Sequence, residues 1–196
     1  MSILIRKITN RWSKSGVIET SEKDVYEYGL ELILFSLLNL AIIFATAAVF
    51  GRVPESIALM LAIVPMQAYG GGYHAKTHFR CFLIMYIGWW ATMHAVLPIF
   101  EAFAATATGI AAILIIFAVA PVSHVNVGMS SEHRLRLRFF VRMAALTVFL
   151  AAATLTWLIA GGTRFGITLF VGLGIAAFSM LIAHTKNLIK PRVQMR

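Results

Sequence analysis

Cysteine is almost absent from this chain, which contains only Cys81. One thiol cannot form a disulfide within the chain, and it cannot by itself supply the several thiolates of an iron–sulfur cluster or a thiolate-rich zinc site. Cys81 is therefore an inert buried thiol, one ligand of a mixed metal site, or a nucleophile. Because a free cysteine is most often just a small buried apolar side chain, the choice depends on its neighbours.

Charged residues are also scarce. They make up 13% of the 196 residues, whereas hydrophobic residues make up 60%, and the mean hydropathy is +0.83. A soluble domain carries about 25% charged residues, so this composition excludes a soluble globular protein and predicts a membrane protein. Alternating strand patterns of the kind found in membrane barrels are missing, so the spans are expected to be helices.

Long apolar runs make up most of the chain. A bilayer core about 30 Å thick requires about 20 apolar residues per helix, and the sequence offers about six such runs. We therefore expect an all-α integral membrane protein with one polytopic domain, residues 1–196. The predicted spans are residues 29–50, 55–73, 82–100, 103–122, 139–160 and 166–184.

The N-terminal segment, residues 1–28, is predicted to be cytoplasmic. Within it, Ser2–Lys14 places Ile5, Ile8 and Trp12 on one helical face and basic residues elsewhere. This pattern is typical of an amphipathic helix lying on an anionic leaflet. The alternative is a basic tail that only enforces topology.

Acidic residues are few, with 8 Asp and Glu against 17 Lys and Arg, which gives a net charge of +9. Such an excess can indicate nucleic-acid binding, but here the cations lie at the ends of apolar spans. We therefore expect the lipid bilayer as the partner and no nucleic acid. All but Arg52 and Arg164 of the 17 cations fall on one side of the predicted topology, which places both termini in the cytoplasm.

The second predicted span is irregular. It contains Pro65 and ends in three glycines, Gly70–Gly72. Proline removes a backbone donor, and irregular backbone at membrane depth is tolerated only where it is buried in protein or lines a wet cavity. The sequence predicts a glycine-rich break between spans two and three, with a cavity open to the cytoplasm. The alternative is an ordinary helix end with a glycine cap.

Basic and imidazole side chains surround Cys81, namely His74, Lys76, His78 and Arg80. Nearby cations stabilise the thiolate that attacks a carbonyl. His78 lies three residues before Cys81, and would therefore share its helix face. His74 lies seven residues before it, about 10.5 Å along a continuous helix, so it reaches Cys81 only if the chain bends. With helix three beginning near residue 77 or 78, the glycines allow that bend, and spacing leaves either histidine as the base.

The stretch YGGGYHAKTHFRCF, residues 69–82, resembles the signature of the AgrB family, membrane cysteine endopeptidases of bacterial quorum sensing. Two glycines, an aromatic residue, His-Ala-Lys-Thr and a cysteine seven residues after the histidine match the family pattern. A second stretch, Ala120–Val122 followed by Ser130–Glu132 and a basic run, resembles the loop after the family's fourth span. The resemblance covers essentially the whole chain.

The resemblance implies His74 as general base and Cys81 as nucleophile. The substrate would be a short AgrD-like precursor peptide, whose C-terminal tail is released as a Cys81 thioester forms. Capture of that thioester inside the precursor would close a thiolactone or lactone ring. The resemblance further implies a homodimer in the bacterial cytoplasmic membrane, with the site facing the cytoplasm and no cofactor.

Several further residues are candidates for supporting roles. The backbone N–H groups of Gly71 and Gly72 are candidate oxyanion donors. Candidate substrate-binding residues are Gln67, Lys76, Arg80, Arg134, Arg136 and Arg138. The family often has arginine where this chain has Gln67, so either Lys76 or Arg80 supplies the missing charge or the substrate differs. Arg134, Arg136 and Arg138 have the alternative role of enforcing topology.

Two other function classes remain open at this stage. His74, His78 and Cys81 on one helix would suit zinc or copper, as in a metal transporter or metalloenzyme. The spans offer few further ligands, and a glycine-rich lead-in is unnecessary for a helical metal face, so we expect no metal. A non-catalytic membrane scaffold or small-solute transporter would not require Cys81.

Overall fold

The computed structural model describes residues 2–73, 75, 77–122 and 130–189, apart from the side chains of residues 2, 3, 78 and 189. Within these residues all regular structure is helical. The α-helices are α1 (Ser2–Lys14), α2 (Lys23–Val49), α3 (Val53–Gly70), α4 (His78–Ala91), α5 (Ala102–Val119), α6 (Ser131–Trp157) and α7 (Thr163–Ile189). A 3₁₀ turn at Thr20–Glu22 precedes α2, and a π-helical turn at Thr92–Val96 follows α4.

The structure confirms an all-α membrane protein. Four helical stretches of the described chain are long and apolar enough to cross a membrane: Thr20–Val49, Ala102–Val119, Ser131–Trp157 and Thr163–Leu188. Many of their large apolar side chains are exposed, such as Leu37 in α2 and Leu114 in α5, as expected of surfaces that face lipid. Six crossings and cytoplasmic termini remain predictions.

The predicted break between spans two and three is present. α3 has Pro54 in its first turn, continues through Pro65 and ends at Gly70, where the sequence predicted a span reaching residue 73. Of the residues between α3 and α4, the structure describes 71–73, 75 and 77, and none of these is helical; α4 begins at His78, as the sequence predicted. The third predicted span, 82–100, overlaps α4 and the π-helical turn, which end at Val96.

By its internal contacts the chain divides into two compact units. The first comprises Met1–Phe50 and Ala75–Gly88. Here α1 packs on α2, and Ile5 and Thr9 are buried. The Thr9 hydroxyl donates to Glu27 Oε1 at 2.9 Å. The amphipathic helix predicted at the N-terminus is therefore formed, and part of its apolar face packs on the protein itself.

The second unit comprises Gly51–His74 and Trp89–Arg196. Its central helix is α7, which contacts α3, α5 and α6. In the most apolar 18-residue stretch of α7, 56% of the chain is buried, whereas 17–22% is buried in the corresponding stretches of the other three candidate spans. Small residues allow this packing, because a Cβ on Gly172 would lie 2.6 Å from the Cβ of Ala62 in α3.

Candidate active site

The glycine-rich segment after α3 follows a sharply defined path. Gly71 has φ 71° and ψ −168°, a backbone region that is essentially restricted to glycine. A Cβ on Gly71 would also collide with the carbonyl oxygen of Val122. The Val122 N–H in turn donates to the Gly70 carbonyl at 2.8 Å. Glycine is therefore required at position 71 by both conformation and space.

α7 also packs against this segment. The Tyr73 N–H donates to Ser179 Oγ at 3.0 Å, and a Cβ on Gly72 would lie 2.8 Å from the same oxygen. The Tyr73 ring is covered by Lys186, whose Nζ lies 3.9 Å from the ring centroid. This distance is within the range of a cation–π contact, so α7 fixes both the backbone and the aromatic side chain that precede position 74.

Two separate stretches of sequence thus meet in the second unit. The Gly70–Tyr73 segment belongs to the first motif of the sequence analysis, and Ala120–Val122 belongs to the second. Their backbones are joined by the hydrogen bond between Val122 and Gly70. The structure therefore brings together parts of the two motifs that carry the family resemblance.

The candidate oxyanion donors differ in their hydrogen bonding. The Gly71 N–H donates to the Gln67 carbonyl at 3.1 Å and closes the end of α3. The Gly72 N–H has no hydrogen-bond partner among the described residues. The half-buried Gln67 side chain lies beside Gly72, with its amide carbon 3.7 Å from the position of an added Cβ.

Cys81 lies at the end of the first turn of α4, in the first unit. Its N–H donates to the Thr77 carbonyl at 3.0 Å, and the Thr77 hydroxyl accepts from the Arg80 N–H at 3.3 Å. Thr77 is therefore the N-cap of α4. The thiol of Cys81 is free and partly buried.

His74 and Lys76 lie outside the described residues, and only the backbone of His78 is described. The pairing of either histidine with Cys81 accordingly stays a prediction. Among the described residues no cluster of three or more His, Cys, Asp or Glu could hold a metal ion. The three ligands of the metal alternative include His74, so that alternative stays untested.

The basic residues predicted to bind substrate lie at the start of two helices. Arg80 is exposed in the first turn of α4. Arg134, Arg136 and Arg138 lie in the first turns of α6 and are exposed. Arg136 pairs with Glu132 at 2.8 Å. Ser130 caps this helix by accepting from the His133 N–H.

Two polar residues outside the sequence motifs lie close to them in the structure. Ser179 binds the Tyr73 backbone, and the sequence signal was a hydroxyl inside the apolar sixth span. Asn39 is buried in α2 and its Nδ2 donates to Met85 Sδ at 3.3 Å. Met85 lies one turn after Cys81 on α4. The sequence signal for Asn39 was a single amide inside the apolar first span.

Comparison with known proteins identifies the family. The model of the family described as accessory gene regulator B, AgrB, matches residues 5–184. No curated protein and no solved structure matches the chain. The match extends over both motifs and from α1 to α7. The chain therefore belongs to the AgrB family, whose role is the processing of quorum-sensing peptide precursors at the membrane.

Proposed function

We propose that this protein is a membrane-embedded cysteine endopeptidase that releases the C-terminal tail of a short quorum-sensing propeptide. One observation carries the proposal: the sole cysteine of the chain lies in the first turn of α4, directly after the glycine-rich break, within a family that processes such peptides. The protein would lie in the bacterial cytoplasmic membrane with Cys81 facing the cytoplasm, as the distribution of Lys and Arg predicts.

In the first step His74 acts as general base and removes the proton of the Cys81 thiol. The thiolate attacks the carbonyl carbon of the scissile peptide bond, and the carbon–nitrogen bond breaks. The acyl group remains on Cys81 Sγ as a thioester. The leaving amine takes the proton from the His74 imidazolium and departs with the tail.

In the second step a thiol or hydroxyl inside the acylated precursor attacks the thioester carbonyl. The new bond closes a thiolactone or lactone ring, Cys81 leaves as the thiolate, and His74 takes the proton of the attacking thiol or hydroxyl. This transfer must outcompete hydrolysis, so the site has to exclude water. A site among the apolar helices of a membrane protein supports such exclusion.

Stabilisation of the tetrahedral oxyanion requires donors whose N–H groups are not already used. Gly71 donates its N–H to Gln67, whereas Gly72 has a free N–H among the described residues. We therefore assign Gly72, rather than Gly71, as the oxyanion donor on the glycine segment. The N–H groups of His78 and Phe79, the first two of α4, are the other source, because Thr77 accepts from the N–H groups of Arg80 and Cys81.

Recognition of the released tail rests on charge. Arg80 at the start of α4 and Arg134 and Arg136 at the start of α6 are exposed, and Lys76 adds a further cation in the sequence. These groups would bind the carboxylates of an acidic tail. Because Arg136 is engaged by Glu132, Arg80 and Arg134 are the freer of these cations for a substrate.

The decisive experiment is co-expression of this protein with the short peptide encoded beside its gene, followed by mass spectrometry of the peptide products. We expect Cys81→Ala and His74→Ala to abolish cleavage and His78→Ala to retain most of it. Because Cys81 is the only cysteine, an acyl-enzyme would be seen as a single hydroxylamine-sensitive mass increase on the intact protein.

All variants should first be compared for membrane insertion and for a single peak on size exclusion in detergent. Cleavage that persists in Cys81→Ala contradicts the thioester route. Slow cleavage by Cys81→Ser does not, since a serine hydroxyl can also attack. Stoichiometric zinc that is lost on His78→Ala would support the metal-site alternative instead.

A further inference from the structure

A cleft runs along the first half of α6. Its volume is about 330 Å³. The lining residues are Phe117, Leu135, Arg138, Phe139, Arg142, Met143 and Leu146. Two guanidinium groups thus share the cleft with apolar side chains only. A ligand that fits such a lining has an anionic end and an apolar body.

Arg142 is held in place inside this cleft. Its Nη2 donates to the Phe117 carbonyl at 2.7 Å, and its guanidinium carbon lies 5.0 Å from the centroid of the Phe117 ring. Its Nε is buried without a hydrogen-bond partner among the described residues. No carboxylate of the described chain forms an ion pair with it. A partly buried cation without a counterion is costly, so Arg142 is prepared to bind an anion.

Arg138 lies one turn before Arg142 and is exposed. Residues four apart lie on the same helix face, so both cations can approach one anion. The apolar side chains beside them are also exposed: Leu135 is 64%, Phe139 62% and Met143 45% exposed. A free acidic peptide would gain little from this apolar wall. A phospholipid would contact both the guanidinium groups and the apolar side chains of the cleft.

We propose that the Arg138–Arg142 cleft is a binding site for an anionic phospholipid. The two guanidinium groups bind the phosphate, which they match in geometry and charge. One acyl chain lies along the exposed apolar residues of α6. The helix that carries the cleft is long and apolar enough to cross a membrane, so a lipid can reach the site within the bilayer.

The site is tested with the full-length protein in a neutral detergent, by native mass spectrometry with added phosphatidylglycerol or phosphatidylcholine. We expect retention of phosphatidylglycerol over phosphatidylcholine. Each guanidinium contributes charge-assisted hydrogen bonds to the phosphate, so Arg138→Gln and Arg142→Gln should each raise the dissociation constant for phosphatidylglycerol about tenfold, which corresponds to about 1.4 kcal/mol. Arg136→Gln is the matched control, because Arg136 pairs with Glu132 outside the cleft, and it should leave occupancy unchanged.

Arg138 is exposed, so Arg138→Gln keeps the test valid even if Arg142→Gln fails to fold. Unchanged lipid retention in the folded Arg138→Gln variant would overturn the proposal. Equal competition by millimolar inorganic phosphate would also overturn it, since a phosphate-only site has no use for the acyl chain. Displacement of phosphatidylglycerol by a short poly-glutamate peptide would assign the cleft to the substrate tail and contradict the lipid site.

Discussion

At the scale of single residues, the three consecutive glycines each meet a close neighbour. A Cβ on Gly70 would collide with Met180, a Cβ on Gly71 with the Val122 carbonyl, and one on Gly72 with a hydroxyl of α7. The segment is thus closely packed. The three glycines permit this packing, whereas a flexible linker would need no such contacts.

Gly71→Ala should abolish peptide processing and destabilise the fold. The positive φ of Gly71 costs a non-glycine residue about 1–3 kcal/mol, and the added methyl group would also force the Val122 backbone away. Processing of the precursor and the thermal midpoint of the purified protein measure the two effects.

Gly29→Ala is the control for this change. Gly29 lies in α2 and a Cβ there would meet nothing within 4 Å. Alanine is favoured over glycine inside a helix by about 1 kcal/mol. The control should therefore be neutral or slightly stabilising. Equal effects of the two substitutions would show that the conformation and packing of Gly71 do not cause the loss of processing and stability.

At the scale of elements, α1 is an amphipathic helix with a docking face and an open face. Ile5 is 1% exposed, whereas the adjacent Leu4 is 60% exposed. Glu27 of α2 accepts a hydrogen bond from the Thr9 hydroxyl. Its other carboxylate oxygen, Oε2, lies 3.8 Å from Arg6 Nε. The contact between α1 and α2 therefore combines an apolar core with a polar edge.

Ile5→Asp should detach α1 from α2, because an unpaired carboxylate cannot be buried at this contact without a large cost. We expect faster trypsin cleavage after Arg11 and Lys14 in the detergent-solubilised protein. Leu4→Asp introduces the same charge on the open face and should leave the cleavage rate near that of the parent. If trypsin cleaved Ile5→Asp no faster than the parent protein, the packing of α1 on α2 would be excluded.

The sequence predicted helix positions better than helix ends. It located α1, the glycine-rich break and the start of α4, because amphipathic spacing and glycine runs are local signals. It placed the fifth span at 139–160, whereas α6 already begins at Ser131. Hydropathy marks only the part of a helix that suits lipid, and a polar first turn is fixed instead by its cap, here Ser130.

The candidate site was predictable in part for the same reason. Cys81 and the glycines were visible as a motif, since they are close in sequence. Ser179 was not, because it meets Tyr73 across 106 positions of chain. From the sequence, Arg142 is one of the cations that predict the topology of the chain. Its hydrogen bond to the Phe117 carbonyl depends on the packing of α6 on α5. Contacts between distant segments cannot be inferred from spacing.

At the scale of the whole molecule, the two cations that break the charge asymmetry share one carboxylate. Arg52 and Arg164 are the exceptions to the cytoplasmic bias predicted for Lys and Arg. Both contact buried Glu55, at 3.4 Å and 3.0 Å. Glu55 therefore compensates both charges in the folded protein. The orientation of the chain stays a prediction.

The number of crossings depends on α3 and α4. The four long apolar helices, α2, α5, α6 and α7, suffice for an even number of crossings. Adding α3 and α4 would give about six, as span lengths predict. Both arrangements place the N-terminus and the α6–α7 connection on opposite sides of the membrane. They differ only in the side that the glycine-rich break occupies, which is the side on which the nucleophile meets its substrate.

A cysteine at position 75 distinguishes the two arrangements, because Cys81→Ala leaves the protein without any other thiol. In that background we expect Ala75→Cys to react with a membrane-impermeant maleimide only after the cells are permeabilised. Ser15→Cys should behave in the same way, and Thr163→Cys should react in intact cells. All three positions are at least partly accessible. Labelling of Ala75→Cys in intact cells would mean that α3 and α4 do not cross, and that the break faces outward, where a cytoplasmic precursor could not reach Cys81.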